Sequence, residues 1–293
     1  IEADIPEPNI NEVLVKVEAV GLNPKDILIR KGKFQRLSGK VFPQTIGFEF
    51  SGTVEASQHP NYPISSEVFG MINGWKGRCC AEFLAIPINE LAKAPTNFKH
   101  ETLAGIPLAG QTALQAIRDL GQLKPEQNIC INGGSGGVGT IAIQIAKALG
   151  GKVVSISSKK NTDFCLELGA DQTIAYDEVD ILKINQTFDV FFDVFGNYSF
   201  KKTAPLLNKG GRYITTVPKP EIIKEQALNL FRKKQAKMIV VKSKSEDIQW
   251  LARQIMEGNI RPIVDRVYPL EQMKVAQSYI ETKRAKGKVI IIM

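Results

Sequence analysis

A glycine-rich segment between a strand pattern and a helix pattern constrains the fold most strongly. The segment Ile129–Gly139 reads ICINGGSGGVG and has the spacing Gly-x-Gly-x-x-Gly at Gly134, Gly136 and Gly139. Apolar residues then recur at helical spacing, at Val138, Ile141, Ala142, Ile145, Ala146 and Leu149. This order is typical of a Rossmann unit, whose backbone N–H groups and helix dipole bind a pyrophosphate. The alternative is that the glycines only form a turn. The predicted cofactor contacts are Gly134, Ser135, Gly136, Gly137 and Val138.

The end of the next predicted strand indicates which dinucleotide binds. Chains that bind NAD usually place Asp or Glu there, about 20 residues after the glycines, to accept from the ribose hydroxyls. Here the strand ends in Ser157, Ser158, Lys159 and Lys160, and the next carboxylate is Asp163. Two hydroxyls and two cations suit a 2′-phosphate, so we predict NADPH as the cofactor. The alternative is that these are solvent-exposed turn residues.

The pattern of elements changes once along the chain. Up to about residue 105, short strands such as Val15–Ala19 are separated by Pro and Gly. Beyond that point strands alternate with helices, which predicts a parallel sheet covered on both faces. We therefore expect an α/β protein with a mostly β domain at 1–107 and a doubly wound Rossmann domain at 108–245. A return segment at 246–293 completes the β domain.

Composition and charge argue against a membrane-spanning or nucleic-acid-binding protein. The longest apolar runs, such as Val289–Met293, are far shorter than the roughly 20 residues that cross a bilayer. The net charge of +8 is concentrated in Lys219–Lys244, which has eight Lys and Arg against two Glu. This segment reads as a solvated helix face followed by a strand. It offers a single aromatic residue for base stacking, so nucleic acid is not an expected partner.

Cysteine and histidine usage argues against a disulfide framework and a metal site. The four cysteines form no CxxC pair, and neither His59 nor His100 has a Cys or second His at ligand spacing. We predict no bound metal, burial rather than redox chemistry for Cys79 and Cys80, and a cytoplasmic location. The chain starts with Ile, and a strand pattern follows almost at once, so a longer natural chain is expected. No targeting peptide is visible.

Nine segments, spread over nearly the whole chain, carry a family pattern. They are EVLVKVEAVGLNPKD (Glu12–Asp26), IGFEFSGTV (Ile46–Val54), PLAGQTALQA (Pro107–Ala116), NGGSGGVGTIAIQIAKALG (Asn132–Gly150), LGADQTIAYDE (Leu168–Glu178), FDVFFDVFGN (Phe188–Asn197), LNKGGRYITT (Leu207–Thr216), GNIRPIVDRVYPL (Gly258–Leu270) and AKGKVI (Ala285–Ile290). Together they resemble the medium-chain dehydrogenase/reductase superfamily, in its zinc-independent quinone oxidoreductase and enone reductase branch. The resemblance implies a GroES-like β domain built from both chain ends, an inserted Rossmann domain, an active site in the cleft, and a homodimer. Members usually have two further N-terminal strands.

The resemblance also implies roles for individual residues. It places one set of residues against the cofactor: Thr112, Gly136, Gly137, Val138, Ser158, Lys160, Tyr176, Phe195 and Lys288. Within this set, Thr112 matches a threonine near the nicotinamide, and Phe195 with Gly196 matches a loop beside the cofactor. Lys288 belongs to a tail motif that is expected to reach the cleft. Asp189 and Asp193, four residues apart, are interpreted as caps of the loop before Gly196 rather than as a catalytic carboxylate pair.

Two positions that carry zinc ligands in the zinc-dependent branch differ here. A ligand cysteine is replaced by Asn23, and the motif Gly-His-Glu is replaced by Gly47-Phe48-Glu49. Without a metal, hydrogen bonds must polarise the acceptor carbonyl, and Asn23 is the predicted donor. Phe48 is interpreted either as an apolar wall for a flat substrate or as core packing. Several family members carry Tyr or Lys where this chain has Leu28, so the residue that donates the proton is not identified. Solvent is the alternative proton donor.

Two functional hypotheses follow from these observations. The first is an NADPH-dependent reductase that transfers a hydride directly to a quinone or an α,β-unsaturated carbonyl compound. The second is a protein that holds NADPH without turnover, as a sensor, a structural component or an RNA-associated factor, which Leu28 and the positive charge keep open. A zinc alcohol dehydrogenase is disfavoured by the missing ligands. Fold alone does not decide among these reactions.

Overall fold

Two separate sheets organise the chain in the computed structural model, which describes residues 2–40 and 43–293. The terminal unit contains the residues up to Gln111 together with Lys242–Gly258 and Pro262–Met293. The central unit contains Thr112–Val241 together with Asn259–Arg261. The predicted boundaries after residues 107 and 245 lie four residues before and four residues after these transitions. The short return of Asn259–Arg261 to the central unit was not predicted.

The described residues contain thirteen strands and ten α-helices. The strands are β1 (Glu12–Leu22), β2 (Glu49–Ser57), β3 (Glu67–Met71), β4 (Phe83–Pro87), β5 (Leu91–Lys93), β6 (Asn128–Asn132), β7 (Lys152–Ser157), β8 (Gln172–Ala175), β9 (Phe188–Asp193), β10 (Leu207–Thr215), β11 (Gln235–Met238), β12 (Val264–Pro269) and β13 (Lys288–Ile292). The helices are α1 (Pro24–Arg30), α2 (Gln35–Ser38), α3 (His100–Leu103), α4 (Pro107–Leu114), α5 (Gly137–Ala148), α6 (Thr162–Glu167), α7 (Phe200–Thr203), α8 (Pro220–Ala227), α9 (Ser245–Met256) and α10 (Met273–Glu281). None of these helices is long and apolar enough to cross a membrane.

The terminal unit is built on β1. Val15 and Val17 are buried while Lys16 between them is exposed, which is the alternation of a strand with one face on a core. β1 pairs with β2 along one edge, and on its other edge with β4 and then with β13, all antiparallel. β13 also pairs with β12 in parallel. The carboxyl-terminal segment thus completes the amino-terminal sheet, as the sequence predicted.

The central unit is a six-stranded parallel sheet with the strand order β11-β10-β9-β6-β7-β8. Its middle strands are buried without alternation: Ile129, Cys130 and Ile131 in β6 and Phe191 and Phe192 in β9 have no exposed surface. This is the pattern of strands covered on both faces. The order reverses between β6 and β9, which is the topological switch point where open α/β sheets bind ligands outside the carboxyl ends of their strands.

One short helix near the start of the chain was not predicted. α1 begins at Pro24, a residue favoured in the first helical turn because its fixed φ suits the helix and its missing N–H needs no partner there. Asn23 precedes it in an extended conformation, as N-cap residues do. At seven residues, α1 is too short to show a helical repeat in the sequence. It nevertheless holds several residues of the candidate site.

Candidate functional site

The glycine-rich loop joins β6 to α5, and its glycines have separable roles. A Cβ at Gly134 would lie 1.9 Å from Ser155 Oγ, and a Cβ at Gly139 would lie 2.0 Å from the carbonyl oxygen of Gly133. These two positions therefore exclude any side chain because the chain packs on itself there. At Gly136 the nearest atom is Gly133 O at 3.5 Å, so its Cα side is open. Gly136 is thus the point where a ligand can approach the backbone closely.

The open glycine lies at the positive end of a long helix. Gly136 is the N-cap of the twelve-residue helix α5, and no side chain caps that end. The N–H groups of the first helical turn, which include those of Gly137 and Val138, have no intrahelical partners. With the helix dipole they favour an anion such as a pyrophosphate. The sequence-predicted loop residues 134–138 therefore form one anion-binding surface.

The two predicted phosphate-binding lysines are not equivalent in the structure. The Lys159 ammonium pairs with Glu178 at 3.0 Å, and its backbone N–H donates to Asp177 at 2.8 Å. Lys160 is exposed and has no hydrogen-bond or ion-pair partner among the described residues. Tyr176 is likewise exposed. Of the two cations, Lys160 is therefore the one that is free for a ligand.

The serines at the end of β7 are less accessible than the sequence suggested. Ser157 and Ser158 are both buried, and the Ser157 hydroxyl donates to the Ser158 carbonyl oxygen at 3.2 Å. Thr112, the predicted contact near the nicotinamide, is also buried, in α4. Phe195, by contrast, is half exposed in the loop after β9. Among the predicted cofactor contacts of the central unit, Lys159, Lys160, Tyr176 and Phe195 are thus the exposed ones.

Asn161 was not predicted as a site residue, and it links the glycine loop to the end of β7. Its side chain is 7 % exposed, and Nδ2 donates to Ser135 Oγ at 3.1 Å. Its Oδ1 is buried and has no hydrogen-bond partner. An unpaired buried acceptor costs free energy unless a ligand or water supplies a donor. In sequence, Asn161 resembles an ordinary cap before α6, which is why the pattern did not single it out.

Asp193 shapes the loop that follows β9. Its buried carboxylate accepts hydrogen bonds from Asn132 Nδ2 (2.6 Å), the Gly196 N–H (2.8 Å), the Tyr198 N–H (3.0 Å) and the Tyr213 hydroxyl (2.9 Å). Burial first, and then this carboxylate, raise the pKa of Tyr213. The predicted capping role is confirmed for Asp193.

The same prediction is wrong for Asp189, whose position in β9 directs it elsewhere. Its carboxylate accepts from the Asn128 N–H and from Asn208 Nδ2, both at 2.9 Å. Asp189 lies near the amino end of its strand, whereas Asp193 lies at the carboxyl end. Open parallel sheets bind ligands at the carboxyl ends of their strands. Asp193 therefore shapes a loop at the ligand-binding edge, whereas Asp189, four residues earlier, has a structural role at the opposite edge.

A buried ion pair dominates the polar interior of the terminal unit. Lys288 Nζ lies 2.6 Å from Glu49 Oε1, with Glu49 0 % and Lys288 5 % exposed. The ammonium also donates to Asn23 Oδ1 (2.6 Å) and to the Leu22 carbonyl oxygen (3.3 Å). Glu49 Oε2 accepts from the Leu108 N–H at 2.7 Å. All three ammonium hydrogens have acceptors, so the geometry favours a positioning role for Lys288 over the predicted cofactor contact.

Asn23 belongs to this cluster, and its amide is fully engaged. Nδ2 donates to Glu49 Oε1 at 2.9 Å and to the Gly21 carbonyl oxygen at 3.2 Å, while Oδ1 accepts from Lys288. The opposite amide orientation would place the NH₂ group against the ammonium, so the orientation is determined. With Asn23 at 4 % exposure, neither N–H is free for an acceptor carbonyl. The predicted catalytic donor role would require one of these bonds to break.

Phe48 lies in the core of the terminal unit. It is 1 % exposed and packs within the main hydrophobic cluster of that unit. The Lys25 ammonium lies over its ring, 3.7 Å from the centroid. Of the two interpretations of Phe48, core packing describes its surroundings. Lys25, which the sequence analysis did not single out, covers its ring face.

Metal-ligating side chains do not cluster in the described part of the chain: no group of three or more His, Cys, Asp or Glu could hold an ion. His100 Nδ1 lies 2.8 Å from the buried Ser51 hydroxyl.

All four cysteines are free, and burial raises the pKa of the Cys79 thiol well above its usual value. Cys80 is only partly exposed, and burial raises the pKa of its thiol as well. The predicted burial of Cys79 is confirmed, and such thiols are poor nucleophiles.

Comparison with known proteins agrees with this geometry. Residues 9–96 match the alcohol dehydrogenase GroES-like domain, and residues 168–291 match a family described as zinc-binding dehydrogenase. The chain is 32 % identical to 2-methylene-furan-3-one reductase of Solanum lycopersicum, over 99 % of this chain and 74 % of the relative. It is 30 % identical to the mitochondrial NAD(P)H oxidoreductase RTN4IP1 of Danio rerio, over 96 % of this chain and 83 % of the relative.

A solved structure shares both the fold and the sequence. The quinone oxidoreductase from Coxiella burnetii superposes with a TM-score of 0.89 at 28 % identity, over 100 % of this chain and 94 % of that chain. The GroES-like match, the parallel Rossmann sheet and these relatives agree with one another. The chain therefore belongs to the medium-chain dehydrogenase/reductase superfamily, in its quinone oxidoreductase and enone reductase branch.

Proposed function

We propose that this chain is an NADPH-dependent oxidoreductase that reduces quinones or α,β-unsaturated carbonyl compounds. The observation that carries the proposal is the phosphate loop, in which Gly136 presents open backbone at the uncapped end of α5. The names of its relatives support the acceptor class, since they include a quinone oxidoreductase and a 2-methylene-furan-3-one reductase. The reaction is a hydride transfer to the conjugated acceptor, followed by proton transfer.

The residues of the central unit fit a dinucleotide. The first-turn N–H groups of α5 would hold the pyrophosphate beside Gly136. Asn161 Oδ1, which lacks a partner, would accept from a ribose hydroxyl. Phe195 and Tyr176 offer exposed rings for the flat ends of the cofactor. When bound, the cofactor supplies the hydride, and these residues hold and orient it.

The choice of NADPH over NADH rests on Lys160. Its ammonium is exposed and unpaired in the described part of the chain, so it is available for a 2′-phosphate. Lys159 contributes less because Glu178 already neutralises it. Asp177 and Glu178 follow Lys159 by 18 and 19 residues in the chain, and both accept a hydrogen bond from it. These two carboxylates are therefore already engaged by Lys159.

We propose that the reaction needs no metal. The two positions that the zinc-dependent branch uses for ligands hold Asn23 and Phe48. Phe48 has no ligating atom, and the Asn23 amide already bonds Glu49 and Lys288. Elemental analysis of purified protein, with activity measured before and after dialysis against a chelator, tests this. Stoichiometric zinc that is required for activity would contradict it.

Assembly and compartment are also proposals. We propose a homodimer, for which β11 offers a pairing edge as the last of the described strands at one side of the parallel sheet. We propose a reducing compartment such as the cytoplasm, supported by four free cysteines. The relative RTN4IP1 is named as mitochondrial, so an organelle is the competing location. Light scattering of the purified protein and microscopy of the tagged full-length protein test these two points.

A cofactor-binding titration combined with an acceptor panel tests the proposed function. NADPH and NADH affinities are measured by the change in nicotinamide fluorescence, and oxidation of each cofactor is then followed with para-quinones and enones. We expect tighter binding of NADPH and oxidation that depends on an acceptor. NADPH binding without reduction of any acceptor would instead indicate the binding-protein hypothesis. Failure of a folded sample to bind either cofactor would overturn the dinucleotide site itself.

A further inference from the structure

Lys25 in α1 directs its ammonium into an aromatic setting rather than into solvent. Its Nζ lies 3.7 Å from the ring centroid of Phe48 and 4.9 Å from that of Trp75. It donates one hydrogen bond, to the carbonyl oxygen of Gly74 at 2.7 Å. Trp75 is itself held by Phe34, whose ring centroid is 4.8 Å away. The side chain is therefore positioned by contacts with two π faces and one carbonyl.

The Lys25 ammonium has donor capacity that its surroundings do not use. An ammonium carries three N–H donors, and Gly74 accepts one of them. Among the described residues no carboxylate forms an ion pair with Lys25. A half-buried lysine without a counterion is uncommon, because removing a charge from water costs free energy. Such a cation suits an anionic or strongly polarised oxygen as its missing partner.

The charged groups around Lys25 leave it as the available proton source of this cluster. Asp26 directs its carboxylate to the N–H groups of Asn23 and Gly47, both at 2.8 Å. Glu49, the first residue of β2, follows Phe48 in the chain and is paired with Lys288. Lys76 and Arg78, both exposed, follow Trp75 in the chain. Burial lowers the pKa of Lys25 to about 8, and nearby Asp26 opposes this.

We propose that Lys25 is the proton donor of the proposed reduction, with its ammonium bonded to the carbonyl oxygen of the acceptor. This inference rests on the proposed function. The hydrogens of Asn23 and Lys288 already have acceptors, so neither can serve without breaking the buried cluster. Leu28 has an aliphatic side chain and no proton to give. The Lys25 side chain supplies the donor that the sequence pattern left unassigned.

The proton and electron balance of this step is complete. A conjugated acceptor that has received a hydride is an enolate, or for a quinone a hydroquinone anion, with the new negative charge on oxygen. An N–H bond of the Lys25 ammonium breaks, its electron pair stays on nitrogen, and an O–H bond forms on the acceptor. The neutral amine then takes a proton from water. Before the hydride transfer, the same ammonium polarises the carbonyl bond.

Substitution of Lys25 tests the proposal. We expect Lys25→Met to lower kcat/KM for quinones and enones by about 100-fold, the usual size of a general-acid contribution, with the NADPH dissociation constant unchanged. Because the protonated ammonium is the active form, wild-type kcat/KM should fall as pH rises through about 8. This alkaline limb should be lost in Lys25→Met, and methylammonium should restore activity to Lys25→Ala. Lys33→Met, which removes an exposed lysine nearby, is the matched control.

The outcomes separate this inference from the proposed function. Wild-type turnover that Lys25→Met retains, with the same alkaline limb, would overturn the role of Lys25 and leave the reductase function intact. Absence of turnover in the wild type would overturn both. Circular dichroism and thermal melting show whether each variant folds. If Lys25→Met does not fold, the conservative variant Lys25→Arg decides: its alkaline limb should move to higher pH, and an unmoved limb would refute the proposal.

Discussion

At the scale of single residues, chemical type alone does not determine role. Lys159 and Lys160 are adjacent and identical in kind, and both were predicted to bind a phosphate. The fold brings Glu178 to Lys159 and leaves Lys160 unpaired among the described residues. Because Glu178 is 19 residues away in the chain, no local pattern could distinguish the two lysines. Their side chains should therefore differ in their effect on cofactor choice.

We expect Lys160→Ala to weaken NADPH binding by roughly tenfold to 100-fold, since a hydrogen bond to a charged group is worth about 1.5–3 kcal/mol. NADH affinity should change by less than about threefold, because NADH lacks the 2′-phosphate. The measurement is the dissociation constant of each cofactor by fluorescence titration. Lys159→Ala is the matched control and should have a smaller effect. An unchanged ratio of the two affinities in Lys160→Ala would refute this assignment.

The buried pair Glu49–Lys288 gives a second prediction at this scale. Lys288→Met leaves the Glu49 carboxylate buried without its counterion, and breaking such a pair costs about 3–5 kcal/mol. We expect the free energy of unfolding, measured by urea denaturation, to fall by that amount. The double variant Glu49→Gln with Lys288→Met should recover part of the loss, because no unpaired charge remains. A Lys288→Met variant as stable as the wild type would contradict the role of this pair.

At the scale of elements, prediction worked where one local signal dominates. The strand predicted before the glycine loop and the strand predicted to end near Ser157 are present as β6 and β7, because each is an apolar run with turn residues at both ends. α1 was missed because seven residues span fewer than two turns. Because Lys25 lies on α1, the sequence analysis also did not identify Lys25 as a candidate site residue. The site residue that sequence reasoning could have found is Asn161, whose position before α6 was visible but ambiguous.

In the glycine-rich loop between β6 and α5, we expect substitutions at two glycines to have different effects. Gly139→Ala should destabilise the protein by several kcal/mol, as overpacking in a tight core does, because its Cβ would lie 2.0 Å from Gly133 O. Gly136→Ala meets nothing closer than 3.5 Å, so its melting temperature should stay within a few degrees of the wild type. Its methyl group would nevertheless occupy the open face of the loop. We expect at least a tenfold weaker NADPH affinity, measured by fluorescence titration, and wild-type affinity would contradict the open-face interpretation.

At the scale of the whole molecule, the return of the chain end to the first sheet was predictable and its chemical consequence was not. The sequence indicated that the segment after residue 245 is too short to fold alone and must join the β domain. It did not indicate that β13 would carry the buried counterion of Glu49, 239 residues earlier in the chain. Long-range pairing of this kind depends on the register between β1 and β13, which one sequence does not display.

The same buried cluster predicts how the stability of the whole molecule depends on pH. Burial raises the pKa of Asp26 from 3.8 to about 6, against the hydrogen bonds from Gly47 and Asn23 that favour its charged form. A carboxyl with a raised folded-state pKa contributes stability that is present below its unfolded value and lost as pH rises through the folded value. The free energy of unfolding of the wild type, relative to Asp26→Asn, should therefore fall by roughly 2 kcal/mol between pH 4 and pH 7. Urea denaturation of both proteins across this range measures the difference. Because the amide of the Asp26→Asn variant does not titrate, a constant difference between the two proteins would mean that Asp26 has an ordinary pKa.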